Sequence, residues 1–304
     1  MSKYLITIVG PTAIGKTSLS IKLAQYFDAD IISADSRQFY KELNIGTAVP
    51  TISELNQAKH HFIHHKSIKE EYSVGDFERD ALGVIDTLFK TNNVVILVGG
   101  SGLYIDAISK GLDIFPKINK TIREQLNKDL KNSGLFSLQN KLKVLDKPSY
   151  EKIAVDNPHR VIRALEICIG TGKPYSSFLN QHKNQRPFKT ITIGLTATRD
   201  VIYKRINERV DKMMNDGLLL EAENLIEFKE LNALKTVGYK ELFHFIDDGI
   251  ELDFAVSEIK KNTRRYAKRQ LTWFKKNSEI KWYDFNYNIE TIIHYLNKKI
   301  QLKP

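Results

Sequence analysis

Eight residues near the start of the chain have the types and spacing of a phosphate-binding loop. They follow the apolar run Tyr4–Val9 and are Gly10, Pro11, Thr12, Ala13, Ile14, Gly15, Lys16 and Thr17. Glycines near both ends let the backbone curl so that successive N–H groups point at phosphate oxygens. Lys16 adds a positive charge, Thr17 offers a hydroxyl to Mg²⁺, and a helix beginning there directs its positive end at the anion. The loop therefore predicts binding of a diphosphate or a triphosphate.

Two further polar residues are expected beside this loop, because each follows an apolar run that is typical of a strand. Asp35 follows residues 31–34, and Ser101 follows Val94–Val98 and two glycines. If the strands are parallel, both residues lie at the carboxyl edge of the sheet, where open α/β sheets bind ligands. A carboxylate there can hold a metal through water or act as a general base. The alternative for Asp35 is an ordinary helix N-cap.

Composition places the chain among globular proteins. Its 304 residues suffice for one large domain or two ordinary ones, and 42% of them are hydrophobic. No apolar run approaches the roughly 18 residues of a membrane span and no signal-peptide pattern precedes the first strand, so we expect a cytoplasmic protein. The single cysteine, Cys168, lies in an apolar helical pattern and is expected to be a core residue.

The net charge of +10 is concentrated near the C-terminus. Residues 256–304 contain twelve Lys and Arg against four acids, and residues 260–276 contain eight basic residues and no acid. Basic pairs recur at a spacing of four, which places them on one helix face, and aromatic residues are interleaved. Such a stripe is typical of a nucleic-acid contact, although a solvated helix face has the same pattern.

The order of patterns along the chain predicts an α/β fold, with a parallel phosphate-loop sheet as its core and a helical insertion domain. Strands are expected at 4–9, 30–34, 94–98 and 190–195, and helices at 16–27 and 76–90. Residues 113–185 have helical periodicity and no buried strand run, so they form the predicted insertion. The core then comprises residues 1–112 and 186–304.

Two smaller features have competing interpretations. A long amphipathic helix after the last of these strands carries Arg205 and Arg209 one turn apart, and arginines so placed often close over phosphates. For Arg205 we expect instead an ordinary surface ion pair with Glu208 or Asp211. The histidines between positions 60 and 65 have spacings seen in metal sites, but we interpret them as part of a packed loop.

Several further segments occur, together with the phosphate loop, in the order found in a known enzyme family. They are Asp35-Ser36-Arg37-Gln38, Gly46-Thr47-Ala48, His60-His61, Gly99-Gly100-Ser101-Gly102-Leu103-Tyr104, Asn157-Pro158-His159-Arg160, Thr236-Val237-Gly238-Tyr239 and Tyr266-Ala267-Lys268-Arg269-Gln270-Leu271-Thr272-Trp273-Phe274. On these motifs the chain resembles the bacterial tRNA dimethylallyltransferases, from about Leu5 to Trp282. The set is far more specific than the phosphate loop alone.

The resemblance implies transfer of a dimethylallyl group from dimethylallyl diphosphate to the exocyclic amine of the adenine 3′ of a tRNA anticodon. The phosphate loop then holds the leaving diphosphate, whose charge Mg²⁺ and Lys16 neutralise. Asp35 matches the general base of the family. Ser101 occupies a position that is commonly threonine and keeps its hydroxyl, and Arg209 resembles an arginine that contacts the diphosphate.

The same resemblance implies which residues contact the anticodon stem-loop. They are Asp35, Ser36, Arg37, Gln38, Ser101, Arg123, His159, Arg160, Val161, Ile162 and Arg163. Position 159 is usually glutamine in the family, and Ile14 replaces a common serine in the phosphate loop. The basic stripe adds Lys268 and Arg269 as expected tRNA contacts. We expect the enzyme to be a monomer.

Three other functions remain open from the sequence. A relative with the same fold prenylates free adenine nucleotides, but such an enzyme has no need of the basic stripe. A nucleoside or nucleotide kinase would use the phosphate loop for ATP, but it would usually carry a metal-holding Asp at the end of the Val94–Val98 strand. A non-catalytic tRNA-binding protein would leave the phosphate loop and Asp35 without a role.

Overall fold

The structure is a computed structural model that describes residues 2–180 and 185–300. These residues form two compact units, of which the smaller falls within residues 111–185 and the larger comprises the rest. The sequence predicts that the smaller unit begins at residue 113, two residues further along the chain. Within the described ranges, every helix is too short or too polar to span a lipid bilayer.

The larger unit is built on one parallel sheet, which confirms the predicted α/β class. In the described residues the strand order is β3-β2-β4-β1-β5-β6. The strands are β1 (Tyr4–Val9), β2 (Ile31–Ser33), β3 (His60–His61), β4 (Val94–Val98), β5 (Lys189–Thr196) and β6 (Lys281–Asp284). The neighbours β1 and β4 are buried along their whole lengths, which is why both are continuous apolar runs and do not alternate with polar residues.

Helices cover both faces of this sheet, so the core has two layers. The helices of the larger unit are α1 (Lys16–Phe27), α2 (Ile52–Leu55), α3 (Val74–Leu88), α4 (Gly102–Lys110), α8 (Arg199–Asn215), α9 (Leu218–Glu223), α10 (Tyr239–Asp248), α11 (Leu252–Phe274) and α12 (Ile289–Lys299). Apolar residues of α1 and α12 pack in one layer, and those of α3, α4 and α10 pack in the other. The carboxyl ends of the parallel strands therefore meet at one edge of a rigid core.

The smaller unit is helical, as predicted, and has its own core. Its helices are α5 (Lys120–Leu145), α6 (Lys147–Lys152) and α7 (Pro158–Thr171). Leu126, Leu142 and Leu165 are fully or nearly fully buried in this core, and Cys168 is buried with them, as expected. Gly134 interrupts α5 with a φ of 73°, a conformation that glycine adopts without strain.

Several element boundaries differ from the prediction for identifiable reasons. Helix α3 begins at Val74, two residues early, because Ser73 and Asp76 form a capping box. The prediction of a loop at the histidines is wrong at His60 and His61, which form the edge strand β3. The ring of His61 contacts the Asp30 carboxylate at 2.7 Å. Neither β3 nor β6 was predicted, because each is short and only half-buried.

Candidate active site

The phosphate loop connects β1 to α1 in a conformation that depends on glycine. Gly10 has a φ of 146° and Gly15 a φ of 106°, and a Cβ atom on Gly10 would lie 2.5 Å from the Leu195 carbonyl oxygen of β5. Lys16 and Thr17 form the first turn of α1, so the positive end of that helix faces the loop. Backbone and helix are therefore arranged to bind an anion.

The Lys16 side chain lies beside the loop, and its protonation changes with pH near neutrality. Its Nζ atom donates a hydrogen bond to the Pro11 carbonyl oxygen at 2.8 Å. Burial lowers the pKa of Lys16 to about 8, against the opposing attraction of the Asp35 carboxylate, and the nearby Arg209 lowers it further. At pH 7 the ammonium group is mostly protonated and available to a phosphate group.

Two arginines of α8 contact the phosphate loop. Arg209 donates to the Thr12 hydroxyl at 3.3 Å, and burial lowers its pKa while the charge of Asp35 opposes that shift. Arg205 donates from Nε to the Ala13 carbonyl at 2.7 Å and lies over the Phe285 ring. The predicted surface ion pair of Arg205 is therefore wrong. Because it lies one turn before Arg209, the same helix face directs both arginines at the loop.

Asp35 lies in a tight turn after β2. One carboxylate oxygen accepts the backbone N–H of Arg37 at 3.1 Å, and no helix begins there, so the N-cap alternative is wrong. Register places Ser33 of β2 opposite Val98 of β4, which brings the two following turns together. The Ser36 and Ser101 hydroxyl oxygens accordingly lie 3.3 Å apart. The adjacency that parallel strands predict for Asp35 and Ser101 is present.

Helix α11 adds a tyrosine to the site. The Tyr266 hydroxyl forms hydrogen bonds with Ser101 and Gln270, and burial together with the nearby Asp35 charge raises its pKa to about 12. Tyr266 therefore remains a neutral hydroxyl at physiological pH. Sequence reasoning missed this role, because the aromatic residues of the stripe suggested only nucleic-acid contact.

Gln270 joins the phosphate loop to the glycine turn after β4. Its Oε1 atom accepts the backbone N–H of Thr12 at 2.8 Å, and its Nε2 atom donates to the Gly100 carbonyl at 2.9 Å. The side chain is 5% exposed, so both hydrogen bonds are shielded from water. A Cβ atom on Gly100 would lie 2.2 Å from Nε2. Gln270 in this position therefore requires glycine at position 100.

Two clefts meet at these residues. The larger, of about 870 Å³, contains the phosphate loop, and the smaller, of about 390 Å³, is lined by Ser36, Arg37 and Arg269 among others. Six residues line both clefts, and they are Thr12, Asp35, Thr47, Arg209, Met213 and Tyr266. The junction can therefore place an anionic ligand of one cleft next to a second ligand of the other, with a carboxylate between them.

Two residues that are predicted to contact tRNA make hydrogen bonds to nearby loops. The Gln38 amide donates to the Thr47 and Ala48 carbonyls at 3.2 and 3.0 Å. The Arg37 guanidinium donates to the Asn232 carbonyl at 2.7 Å. Both side chains still line a cleft, so they shape its wall.

In the smaller unit, the expected tRNA contacts separate into exposed and buried residues. His159 and Arg160 are exposed in the first turn of α7. Val161 and Ile162 are 0% and 4% exposed and fill the core beneath that turn, so only their backbone remains for the predicted tRNA contact. Arg123 and Arg163 are both held by the Glu166 carboxylate, at 2.7 and 2.8 Å.

On α11 of the larger unit, Lys268 and Arg269 are exposed.

We predict that the affinity for inorganic diphosphate decreases between pH 7 and pH 9, because Lys16 loses its proton near pH 8. The Lys16→Arg variant stays charged over this range. Relative to that variant, the wild-type affinity for diphosphate should fall about tenfold, as expected for one charge-assisted hydrogen bond. Metal-free calorimetry at pH 7, 8 and 9 measures it. The variant is the control for the ligand's own ionisation, and a pH-independent ratio of the two affinities would contradict the prediction.

We predict that Gln270→Met lowers the thermal midpoint and weakens diphosphate binding. The substitution preserves side-chain length but leaves the Thr12 N–H and the Gly100 carbonyl without partners, at a cost of about 1–3 kcal/mol for each buried group. Gln25→Met, on the exposed face of α1, is the matched control. A folded Gln270→Met protein with unchanged diphosphate affinity would mean that the loop does not depend on this residue.

Comparisons with known proteins identify the family. The family model described as IPP transferase matches residues 38–277. The tRNA dimethylallyltransferase of Christiangramia forsetii is 61% identical over 99% of both chains, and that of Flavobacterium johnsoniae is 57% identical over 98% of this chain and 99% of the relative.

Solved structures agree with these sequence relatives. The tRNA isopentenylpyrophosphate transferase of Bacillus halodurans aligns with a TM-score of 0.72 and 36% identity, over 99% of this chain and 96% of its own. A eukaryotic dimethylallyltransferase, described as acting on tRNA, aligns with a TM-score of 0.85 and 27% identity, over 100% of this chain and 81% of its own. The chain belongs to the IPP transferase family.

Proposed function

We infer that the protein is a tRNA dimethylallyltransferase. It moves a dimethylallyl group from dimethylallyl diphosphate to the exocyclic amine of an adenine in tRNA and releases diphosphate. The observation that carries this conclusion is the junction of an anion-binding cleft with a second cleft at Asp35. Family membership and relatives named for this activity support it.

The donor diphosphate binds in the larger cleft. The loop N–H groups, Lys16 and Arg209 contact its oxygens and stabilise the negative charge that develops as the bond between the allylic carbon and oxygen breaks. The five-carbon group then extends toward the junction of the clefts. Met213 is the one aliphatic side chain among the six residues that line both clefts, and it suits an apolar group there.

The residues of the loop fit a magnesium ion. Mg²⁺ gives up its water reluctantly and is usually bound by one or two protein ligands together with substrate phosphates. Thr17, which lines the larger cleft in the first turn of α1, would hold it with its hydroxyl. When bound, the ion adds positive charge to the leaving diphosphate.

Asp35 receives the proton in this mechanism. The adenine amine attacks the allylic carbon, the carbon–oxygen bond breaks toward diphosphate, and a proton of the amine passes to the Asp35 carboxylate. The neutral hydroxyls of Ser101 and Tyr266, which hydrogen-bond to each other, lie beside it and orient the adenine. Because the adenine enters the smaller cleft, it must leave the stack of the anticodon loop.

The proposed acceptor is the adenine 3′ of the anticodon, reached through contacts with the anticodon stem-loop. Arg269 lines the smaller cleft, and Lys268 precedes it on the exposed face of α11. Arg123, His159, Arg160 and Arg163 in the smaller unit are proposed as further contacts. We place the reaction in the cytoplasm and propose that one chain suffices for it.

A labelled-substrate assay tests the proposal. Labelled dimethylallyl diphosphate is incubated with tRNA and with AMP, and labelled ATP is incubated with nucleosides. We expect label in tRNA alone. Label in AMP would favour a free-nucleotide prenyltransferase, and phosphorylated nucleoside would favour a kinase.

We predict that Asp35→Asn slows prenyl transfer by roughly 10²- to 10⁴-fold, the usual contribution of a general base. Asparagine keeps an oxygen for the Arg37 N–H, so the turn is preserved and tRNA affinity should change little. Single-turnover rates with saturating tRNA measure the effect. Asp86→Asn, exposed on α3, is the control, and a near-normal rate for Asp35→Asn would exclude Asp35 as the base.

We predict that replacing Lys268 and Arg269 with glutamine weakens tRNA binding and makes it less sensitive to salt. Each lost phosphate contact lowers the slope of log affinity against log salt by about 0.7 to 0.9. Titrations at four salt concentrations measure the slope. Lys298→Gln with Lys299→Gln removes the same charge from exposed positions of α12 and should leave the slope unchanged. Equal slopes for wild type and the α11 variant would mean that these residues serve solubility.

A further inference from the structure

Four cations of the basic stripe lie outside both clefts, in a groove between α8 and α11. The groove has a volume of about 570 Å³, and its lining contains five cationic residues and no carboxylate. The lining residues are Arg199, Tyr203, Asn207, Lys261, Arg264, Arg265 and Lys268. On α11 the spacing of these residues is that of a single helix face, and on α8 they recur every four residues. The two faces together form one positively charged wall.

The cations of this groove are held in place, and most of them are not neutralised. Arg264 donates to the Asn207 side-chain oxygen at 2.8 Å. The Tyr203 ring lies under two guanidinium groups, with the Arg199 and Arg264 carbons 4.9 and 5.6 Å from its centroid. Of the five cations, Lys261 alone forms an ion pair among the described residues, with Glu258. Like charges repel, so such an array suits a polyanionic ligand.

We propose that this groove binds backbone phosphates of the tRNA away from the reacting nucleotide. The proposal rests on the function proposed above. Lys268 lines the groove and its neighbour in the chain, Arg269, lines the smaller cleft, so α11 carries basic side chains into both. At 1.5 Å per residue, the face from Lys268 to Lys261 extends about 10 Å along α11, enough for successive phosphates of one strand.

The chemistry of the groove favours RNA backbone over a small metabolite. Its charged side chains are all donors, and the Asn207 oxygen is already occupied by Arg264. Such a wall of donors suits phosphate oxygens, and contacts to phosphate are how proteins position nucleic acid without reading sequence. The groove should therefore contribute to affinity and salt dependence for any tRNA substrate.

The test is the salt dependence of tRNA binding by Arg199→Gln with Arg264→Gln. If both residues contact phosphate, the slope of log affinity against log salt falls by about 0.7 to 0.9 for each. Lys204→Gln with Lys298→Gln removes the same charge from exposed positions outside the groove and should keep the wild-type slope. A short anticodon stem-loop serves as second ligand, and the variant should lose more affinity for whole tRNA than for this fragment.

Equal slopes of log tRNA affinity against log salt for wild type and variant would overturn the proposal. This holds also if the groove binds inorganic phosphate saturably. If the variant melts early, Arg199→Gln with Arg265→Gln, both exposed, replaces it. Prenyl transfer by the wild type is measured in the same samples. If the wild-type protein modifies tRNA but the two slopes are equal, only the groove proposal is refuted. If the wild-type protein modifies no tRNA, the proposed function is refuted.

Discussion

The hydrogen bonds that Gln270 forms with Thr12 and Gly100 hold the site together. They tie the phosphate loop after β1 and the glycine turn after β4 to one buried side chain of α11. The same helix carries Tyr266 at the junction of the clefts and Arg269 in the smaller cleft. One helix therefore fixes the position of the phosphate loop relative to the smaller cleft. A shift of α11 would therefore disturb both substrates together.

The position of Asp35 follows from the topology of the sheet. Strands β2 and β4 are neighbours, so the turns that follow them emerge side by side next to the loop after β1. This places one carboxylate near two buried cations, Lys16 and Arg209, whose pKa values burial lowers and the charge of Asp35 raises. In the proposed mechanism, donor and acceptor enter by separate clefts and meet beside Asp35, the proposed proton acceptor.

The sequence predicted those parts of the site that local pattern controls. A glycine-framed loop after a buried run has one common use, and parallel strands by themselves bring Asp35 and Ser101 to one edge. The role of Arg205 depends on which way α8 faces, which the β5–α8 connection decides. Gln270 lies 258 residues from Thr12, so no local pattern links the two. Val161 and Ile162 begin the buried run of α7, which the apolar periodicity of that segment predicts, whereas their tRNA contact was implied by the family motif alone.

If the phosphate loop holds a leaving group, the bond that breaks joins the allylic carbon to oxygen. Dimethylallyl diphosphate carrying heavy oxygen in the bridge between its allylic carbon and phosphorus tests this directly. After one turnover with tRNA, mass spectrometry of the products locates the isotope. We expect the heavy oxygen in the released diphosphate. Heavy oxygen in dimethylallyl alcohol, with the diphosphate group transferred to the acceptor or to water, would contradict this.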